Sequence, residues 1–391
     1  MESSIRDAAH NLPEADVLDA VVIGAGFAGL YTLYRLRGLG LSARICEAGS
    51  GIGGTWFWNR YPGARCDVES LEYSYSFSEE LQQEWRWTER YASQPEILRY
   101  LNYVADRFDL RRDIQLDTRV TAAIFDEASN RWSIETNRGG ISARFCVMAT
   151  GCLSAPNLPA YKGLESFQGK CYYTAQWPHE EVHFDGQQVG VIGTGSSAIQ
   201  SVPIIAREAS HLFVFQRTPN FSVPAHNAPL SPGAIEDWKT NCAAYRQQAR
   251  TAPFGMLVEQ GVNSALDVAE PERQAEYERR WSRGGLCIYG AFADLFANKE
   301  ANDTAAEFVR SKIRSIVRDP AVAEKLLPKG FPLGTKRVCV DTGYFATFNR
   351  PNVTLIDIRT TPIEAITASG LRTSDTEYRL DVSCSRPASM P

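Results

Sequence analysis

No stretch of the sequence is long and apolar enough to cross a bilayer. The longest apolar run, Ala20 to Tyr31, is interrupted by three glycines, and a helical span needs about 20 residues. The nine cysteines, an odd number, contain no CxxC pair, which excludes a disulfide scaffold and reads as reduced thiols in the cytoplasm. Basic residues are not in excess. With a formal charge of −5, neither nucleic acid nor a membrane surface is expected as a partner. Histidine is scarce, at five residues, and GxSxG is absent; His10, His211 and His226 show no spacing that suggests the base of a nucleophile. The remaining two form HEEVH at His179 to His183, formally a zinc pattern that needs both histidines on one helix face. Trp177-Pro178 before it and Phe184-Asp185-Gly186 after it leave no room for such a helix, so no metal is expected. Residues 1–15 carry three acidic groups and no apolar core; they are no signal peptide and are expected to be disordered.

The chain has 391 residues, enough for two to three domains at roughly 150 residues each. One motif occurs twice: GAGFAG, with Gly24, Gly26 and Gly29, and GTGSSA, comprising Gly193, Thr194, Gly195, Ser196, Ser197 and Ala198. Each follows an apolar β-branched run and precedes a helical pattern, the context that makes a glycine motif a dinucleotide-binding turn. The helix N-terminus there offers free N–H groups to a pyrophosphate. Between the two turns lie a helix near Pro95 to Phe108 and three strand-like runs, TRVTAAIF, RWSIET and ARFCVMAT, read as a β-meander whose last strand returns to the first sheet. The fold class is therefore α/β: two Rossmann-like domains, the second inserted in the first, with a helical insert. The expected boundaries are 16–152 for the first part of one domain and 153–380 for the other, with the insert at about 220–335.

The residue that ends the second strand of such a unit reads the ribose. In the first unit it is Glu47, a carboxylate that accepts hydrogen bonds from both hydroxyls and repels a 2′-phosphate, so the site suits FAD or NAD. In the second the acid is replaced by Gln216, Arg217 and Thr218, and a guanidinium pairs well with a 2′-phosphate, so that site suits NADPH. A flavoprotein that takes hydride from NADPH is the reading these two preferences support.

GIGGTWFWNRYPGARCDVES, from Gly51 to Ser70, resembles the flavin-facing segment of the Baeyer–Villiger monooxygenases, and FQGKCYYTAQWP, from Phe167 to Pro178, is similar to that family's FxGxxxHxxxWP fingerprint. The likeness runs from about Asp19 to Asp381 and is strongest to the phenylacetone and steroid monooxygenase branch. It implies FAD and NADPH as cofactors, dioxygen as oxidant, and conversion of a small-molecule ketone to an ester or lactone through a C4a-peroxyflavin. It further implies that Arg337, in GTKRVCVDTGYF, stabilises the peroxide anion and that Asp67 holds Arg337 beside the flavin. By the same resemblance Lys336 meets the phosphate of the nicotinamide cofactor, Thr55 and Trp56 lie along the FAD, Tyr73 touches it, and Val120 pairs its backbone with the adenine. The fingerprint histidine is Tyr173 here, which lacks the second nitrogen of an imidazole. Two other readings stay open: an N- or S-oxidising flavin monooxygenase, and a remnant that only binds nucleotide.

The resemblance stops after Tyr378-Arg379-Leu380-Asp381. Family members continue with an apolar run and ATGF or ATGY, whereas this chain reads VSCSRPASMP. With TCN codons for serine, CGN for arginine and synonymous third bases chosen to suit, one base added after the Val382 codon gives DVLVLATGFDA; the protein sequence itself fixes the second bases of the recovered codons and leaves their first bases to that choice. The expectation is thus a one-base deletion that makes 381–391 an aberrant tail, removes a strand of the flavin sheet and leaves FAD weakly held.

Overall fold

The structure is a computed structural model that describes residues 16–153 and 160–385. It divides into two compact units: one comprises the described residues up to Asn59 and from Pro95 to 153, the other Arg60–Gln94 and the residues from 160 onward. In chain order the elements open with β1 (Asp16–Ile23), α1 (Phe27–Gly38), β2 (Ala43–Cys46) and the single turn α2 (Thr55–Trp58). Next come α3 (Glu79–Glu84), α4 (Gln94–Arg107), β3 (Ile114–Gln115), β4 (Val120–Asp126), β5 (Arg131–Thr136) and β6 (Gly139–Met148).

The first unit is built on a six-stranded sheet ordered β3-β2-β1-β6-β5-β4. Ala20, Val21 and Val22 of β1 are buried at its centre, which is why the second half of β1, Ala20–Ile23, reads as an unbroken apolar run and not as an alternation. β1 pairs in parallel with β2 and β6, and β4, β5 and β6 form the expected antiparallel meander. Its first turn is made by Asp126, whose carboxylate accepts the N–H groups of Ala128 and Ser129, and by Asn130 at positive φ. Helix α4 buries Ile97, Tyr100, Leu101, Val104 and Ala105, a helical stripe at spacings of three and four.

The second unit continues with β7 (Lys170–Tyr173), β8 (Gln188–Ile192), α5 (Ser196–Glu208), β9 (His211–Gln216) and β10 (Ser222–Pro224). The helices α6 (Pro232–Thr251), α7 (Glu270–Arg283), α8 (Lys299–Ile316) and α9 (Pro320–Leu326) form the expected insert. Ser231, Asn298 and Asp319 cap α6, α8 and α9 by accepting first-turn N–H groups, as short polar side chains do at N-caps. Then follow β11 (Cys339–Asp341), α10 (Tyr344–Thr347), β12 (Val353–Asp357), β13 (Ile363–Thr367), β14 (Gly370–Thr373), β15 (Glu377–Arg379) and β16 (Val382–Ser385). The main sheet, β12-β9-β8-β16-β7, is parallel throughout. β10 and β11 form a two-stranded parallel ribbon, and β13 to β15 an antiparallel sheet.

Two expectations need correction. The range 16–152 includes 60–94, which groups with the second unit, where Tyr61, Ala64 and Tyr91 join the large core of α5 and the helical insert. The described residues after Asp381 do not join the first sheet: Val382–Ser385 lies between β8 and β7 in the second sheet. Val382 is 1% and Cys384 3% exposed; small side chains suffice for a short strand whose backbone is paired on both sides. Arg386 and Pro387, like residues 1–15 and residues 154–159 just after the expected boundary at 152, lie outside the described residues. No helix among the described residues is long and apolar enough to cross a membrane, and His179–His183 carries no helix.

Candidate functional site

The glycine turn of the first unit links β1 to α1. Gly24 adopts φ +105°, and a Cβ on Gly29 would lie 1.9 Å from the Gly24 carbonyl oxygen, so the helix can start this close to the strand only without a side chain there. Gly26 is the N-cap of α1, and its first-turn N–H groups have no side-chain cap. The buried Glu47 carboxylate accepts the Ala25 N–H at 2.7 Å on one oxygen and the Gly49 N–H at 2.8 Å on the other. Each oxygen keeps a free lone pair, as a reader of ribose hydroxyls must. Val120 opens β4 two residues after Thr118, whose N–H donates to the Glu47 carbonyl. Thr55, exposed, and Trp56, buried, begin α2, and an ideal Cβ on Gly54 before them would come 2.9 Å from the Gly26 Cα. Glu47 and Gly54 thus meet one turn, at Ala25 and Gly26.

In the second unit Gly193 adopts φ +104°, and Gly195 caps α5 without a side-chain bond. The Thr194 hydroxyl donates to the Thr218 carbonyl at 2.9 Å, tying the glycine turn to the end of β9. There Gln216 faces inward: its Nε2 donates to the Lys325 carbonyl at 2.7 Å. Arg217 and Thr218 are left exposed. The third motif position is the buried Ala198, and Ser197 sits half-buried in the first turn of α5.

The same unit brings Asp67, Ser196 and Arg337 together. Arg337 is two residues before β11 and 62% exposed, and its Nη2 lies 3.2 Å from Oδ2 of the buried Asp67. It also donates to the Ser196 Oγ at 3.3 Å, and that hydroxyl donates to Asp67 Oδ2 at 3.4 Å. Burial raises the Asp67 carboxyl above its ordinary value, outweighing the lowering by Arg337, Gln200 and Ser196. The thiols of Cys66 and Cys339 are each pushed up to about 12, chiefly by burial. They therefore stay neutral and add no anion to compete for Arg337. Lys336 is exposed with its ammonium 4.8 Å over the Phe331 ring. Tyr73 stands apart from this group, half-buried in a turn where its N–H donates to the Glu69 carbonyl. Tyr173, at the end of β7, is half-buried.

Gln200 was not legible as a site residue: its Nε2 donates to Asp67 Oδ1 at 3.0 Å. Its spacing of four from Ser196 puts both on one face of α5, but no motif names it.

A chain with two such α/β units falls in the class described as pyridine nucleotide-disulphide oxidoreductases, whose family model matches residues 21–243. Among curated proteins it is 42% identical, over 95% of this chain and 70% of the relative, to a 2-oxo-Δ3-4,5,5-trimethylcyclopentenylacetyl-CoA monooxygenase of Pseudomonas putida. It is also 42% identical, over 93% of this chain and 67% of the relative, to a Baeyer–Villiger monooxygenase of Pseudooceanicola batsensis. A solved structure of oxidized steroid monooxygenase bound to NADP superposes with a TM-score of 0.92 at 54% identity, over 95% of this chain and 71% of that one. The chain belongs to the Baeyer–Villiger monooxygenase family.

Proposed function

We propose that this protein is an FAD- and NADPH-dependent monooxygenase that inserts one oxygen atom of O2 beside a ketone carbonyl, giving an ester or lactone. The observation that carries the reading is the Arg337 guanidinium held by the buried Asp67 carboxylate at 3.2 Å in a chain with two dinucleotide turns of opposite ribose preference. Both turns fit their cofactors. Glu47 and the uncapped start of α1 suit the free ribose hydroxyls and pyrophosphate of FAD, while the exposed Arg217 and Thr218 beside the uncapped start of α5 suit the 2′-phosphate of NADPH. Bound FAD, once reduced by NADPH, supplies the activation of dioxygen.

The protein's part is binding and electrostatics. Gly24, Gly26 and Gly29 admit one pyrophosphate, Gly193 to Ala198 the other, and Lys336 adds charge at the nicotinamide cofactor. Thr55, Trp56, Tyr73 and Val120 are assigned to FAD by resemblance. Arg337 presents a positive charge to an oxygen nucleophile that must stay anionic to attack a carbonyl. Asp67 engages one nitrogen of the guanidinium and leaves most of the group exposed for that task. The oxidant O2 and a cytoplasmic setting complete the reading, the latter supported by nine free cysteines.

The test is product analysis of Arg337→Ala. NADPH oxidation should persist while ester formation falls by about a hundredfold or more, the scale for loss of one oxyanion-stabilising donor. Ester formation at the parent rate would remove Arg337 from the mechanism, and sulfoxide or N-oxide formation by the parent without ester from any ketone would overturn the assigned reaction.

A further inference from the structure

We propose that Gln200 is a positioning residue that holds the Asp67 carboxylate ionised and aimed at Arg337, touching neither substrate nor cofactor itself. The inference rests on the functional reading above only for the reaction it serves. Gln200 is 4% exposed in the second turn of α5, and its amide is fully used. Oε1 accepts the Tyr61 hydroxyl at 2.9 Å and the Arg65 N–H at 3.3 Å. Nε2 donates to the Arg65 carbonyl and to Asp67 Oδ1, both at 3.0 Å. These partners fix the amide in one sense: the Arg65 N–H can only donate and its carbonyl only accept, so a flipped amide would set like poles against each other. The loop is free to lie this close because a Cβ on Gly63 would meet the Gln200 carbonyl oxygen at 2.5 Å.

The division of labour follows from the two carboxylate oxygens. Gln200 takes Oδ1, leaving Oδ2 to Arg337 and Ser196. An amide donor suits this place better than a second cation, because it stabilises the carboxylate without competing with Arg337 for it. The charged and titratable groups facing Asp67 are Arg337, Asp341, Cys66, Cys339, Tyr91 and Tyr289. Arg337 is the cation among these, Asp341 opposes ionisation of Asp67, and the thiols and phenols are held neutral by burial. Without Gln200 the carboxyl would keep its burial and lose a donor, so it would take up a proton at higher pH and release Arg337.

The experiment is an infrared titration of the 391-residue chain, with the protonated Asp67 band assigned by its disappearance in Asp67→Asn. In Gln200→Met the Asp67 midpoint should rise by about one pH unit or more, since loss of a donor favours the neutral acid. In Gln200→Glu, which keeps the shape but sets a second carboxyl against Asp67, the pair should hold one extra proton near neutral pH. Identical midpoints in parent and Gln200→Met overturn the proposal; should Gln200→Met not fold, an unchanged proton count in Gln200→Glu overturns it. A shifted midpoint in a chain that makes no ester supports the role of Gln200 and counts against the assigned reaction alone.

Discussion

The value of Arg337 in the proposed mechanism depends on the ionisation of its partner, Asp67. Burial places the Asp67 carboxyl above its ordinary 3.8, so on acidification it takes up a proton, and weakens its hold on Arg337, at a higher pH than an exposed aspartate would. The acid limb of the rate profile should therefore lie above that value and disappear in Asp67→Asn, whose neutral-pH rate should also be low. The linkage runs against simple acid unfolding as the cause. A carboxyl raised in the folded state favours folding most below its unfolded value, and that contribution is lost as pH rises through the folded one. An acid limb identical in parent and Asp67→Asn would contradict this origin. On the proposed reading, Arg217, exposed at the end of β9, carries the cofactor preference. Arg217→Ala should weaken NADPH binding by roughly 1.5–3 kcal/mol, the worth of a hydrogen bond to a charged group, while NADH binding stays nearly constant in parallel titrations. Equal losses would show that Arg217 does not read the 2′-phosphate.

The two glycine turns look alike in sequence but differ as elements. In the first, a Cβ on Gly29 meets the Gly24 carbonyl oxygen at 1.9 Å; in the second, the corresponding position already carries Ala198. Gly29→Ala should therefore cost at least about 1–3 kcal/mol through overpacking, read as a loss of denaturation midpoint, whereas Ala198→Gly should cost about 1 kcal/mol or less. Comparable losses would mean that the strands and helices approach equally closely in the two units. The turns, the meander and α4 were legible in the sequence because each depends on local chemistry: positive φ at Gly24 and Gly193, turn residues around Asp126, a three-and-four stripe from Ile97. β16 was misread because the place of Val382–Ser385 depends on strands roughly two hundred residues earlier. Val382→Asp puts an unpaired charge in that buried strand and should destabilise the second unit by about 3 kcal/mol or more. A chain that melts like the parent would show that β16 is dispensable.

Across the whole molecule, the site was legible in part. The family resemblance names Asp67 and Arg337 and the second glycine turn contains Ser196, and the structure brings the three together. Gln200 was missed because its function exists only once the loop 60–67 has packed on α5, a contact between residues more than a hundred positions apart. Tyr73 and Val120 rest on resemblance, since neither has a side-chain pattern that points to a flavin. The chain as a whole pairs a turn suited to FAD with a turn suited to NADPH and sets a guanidinium on a buried carboxylate, and each of these would be idle without the others. The most direct test is turnover of a cyclic ketone by the FAD-loaded protein with NADPH under ¹⁸O2. The account predicts a lactone carrying one labelled atom in the ring, with one NADPH consumed per lactone formed. NADPH consumption with no lactone, or lactone without label, would contradict it.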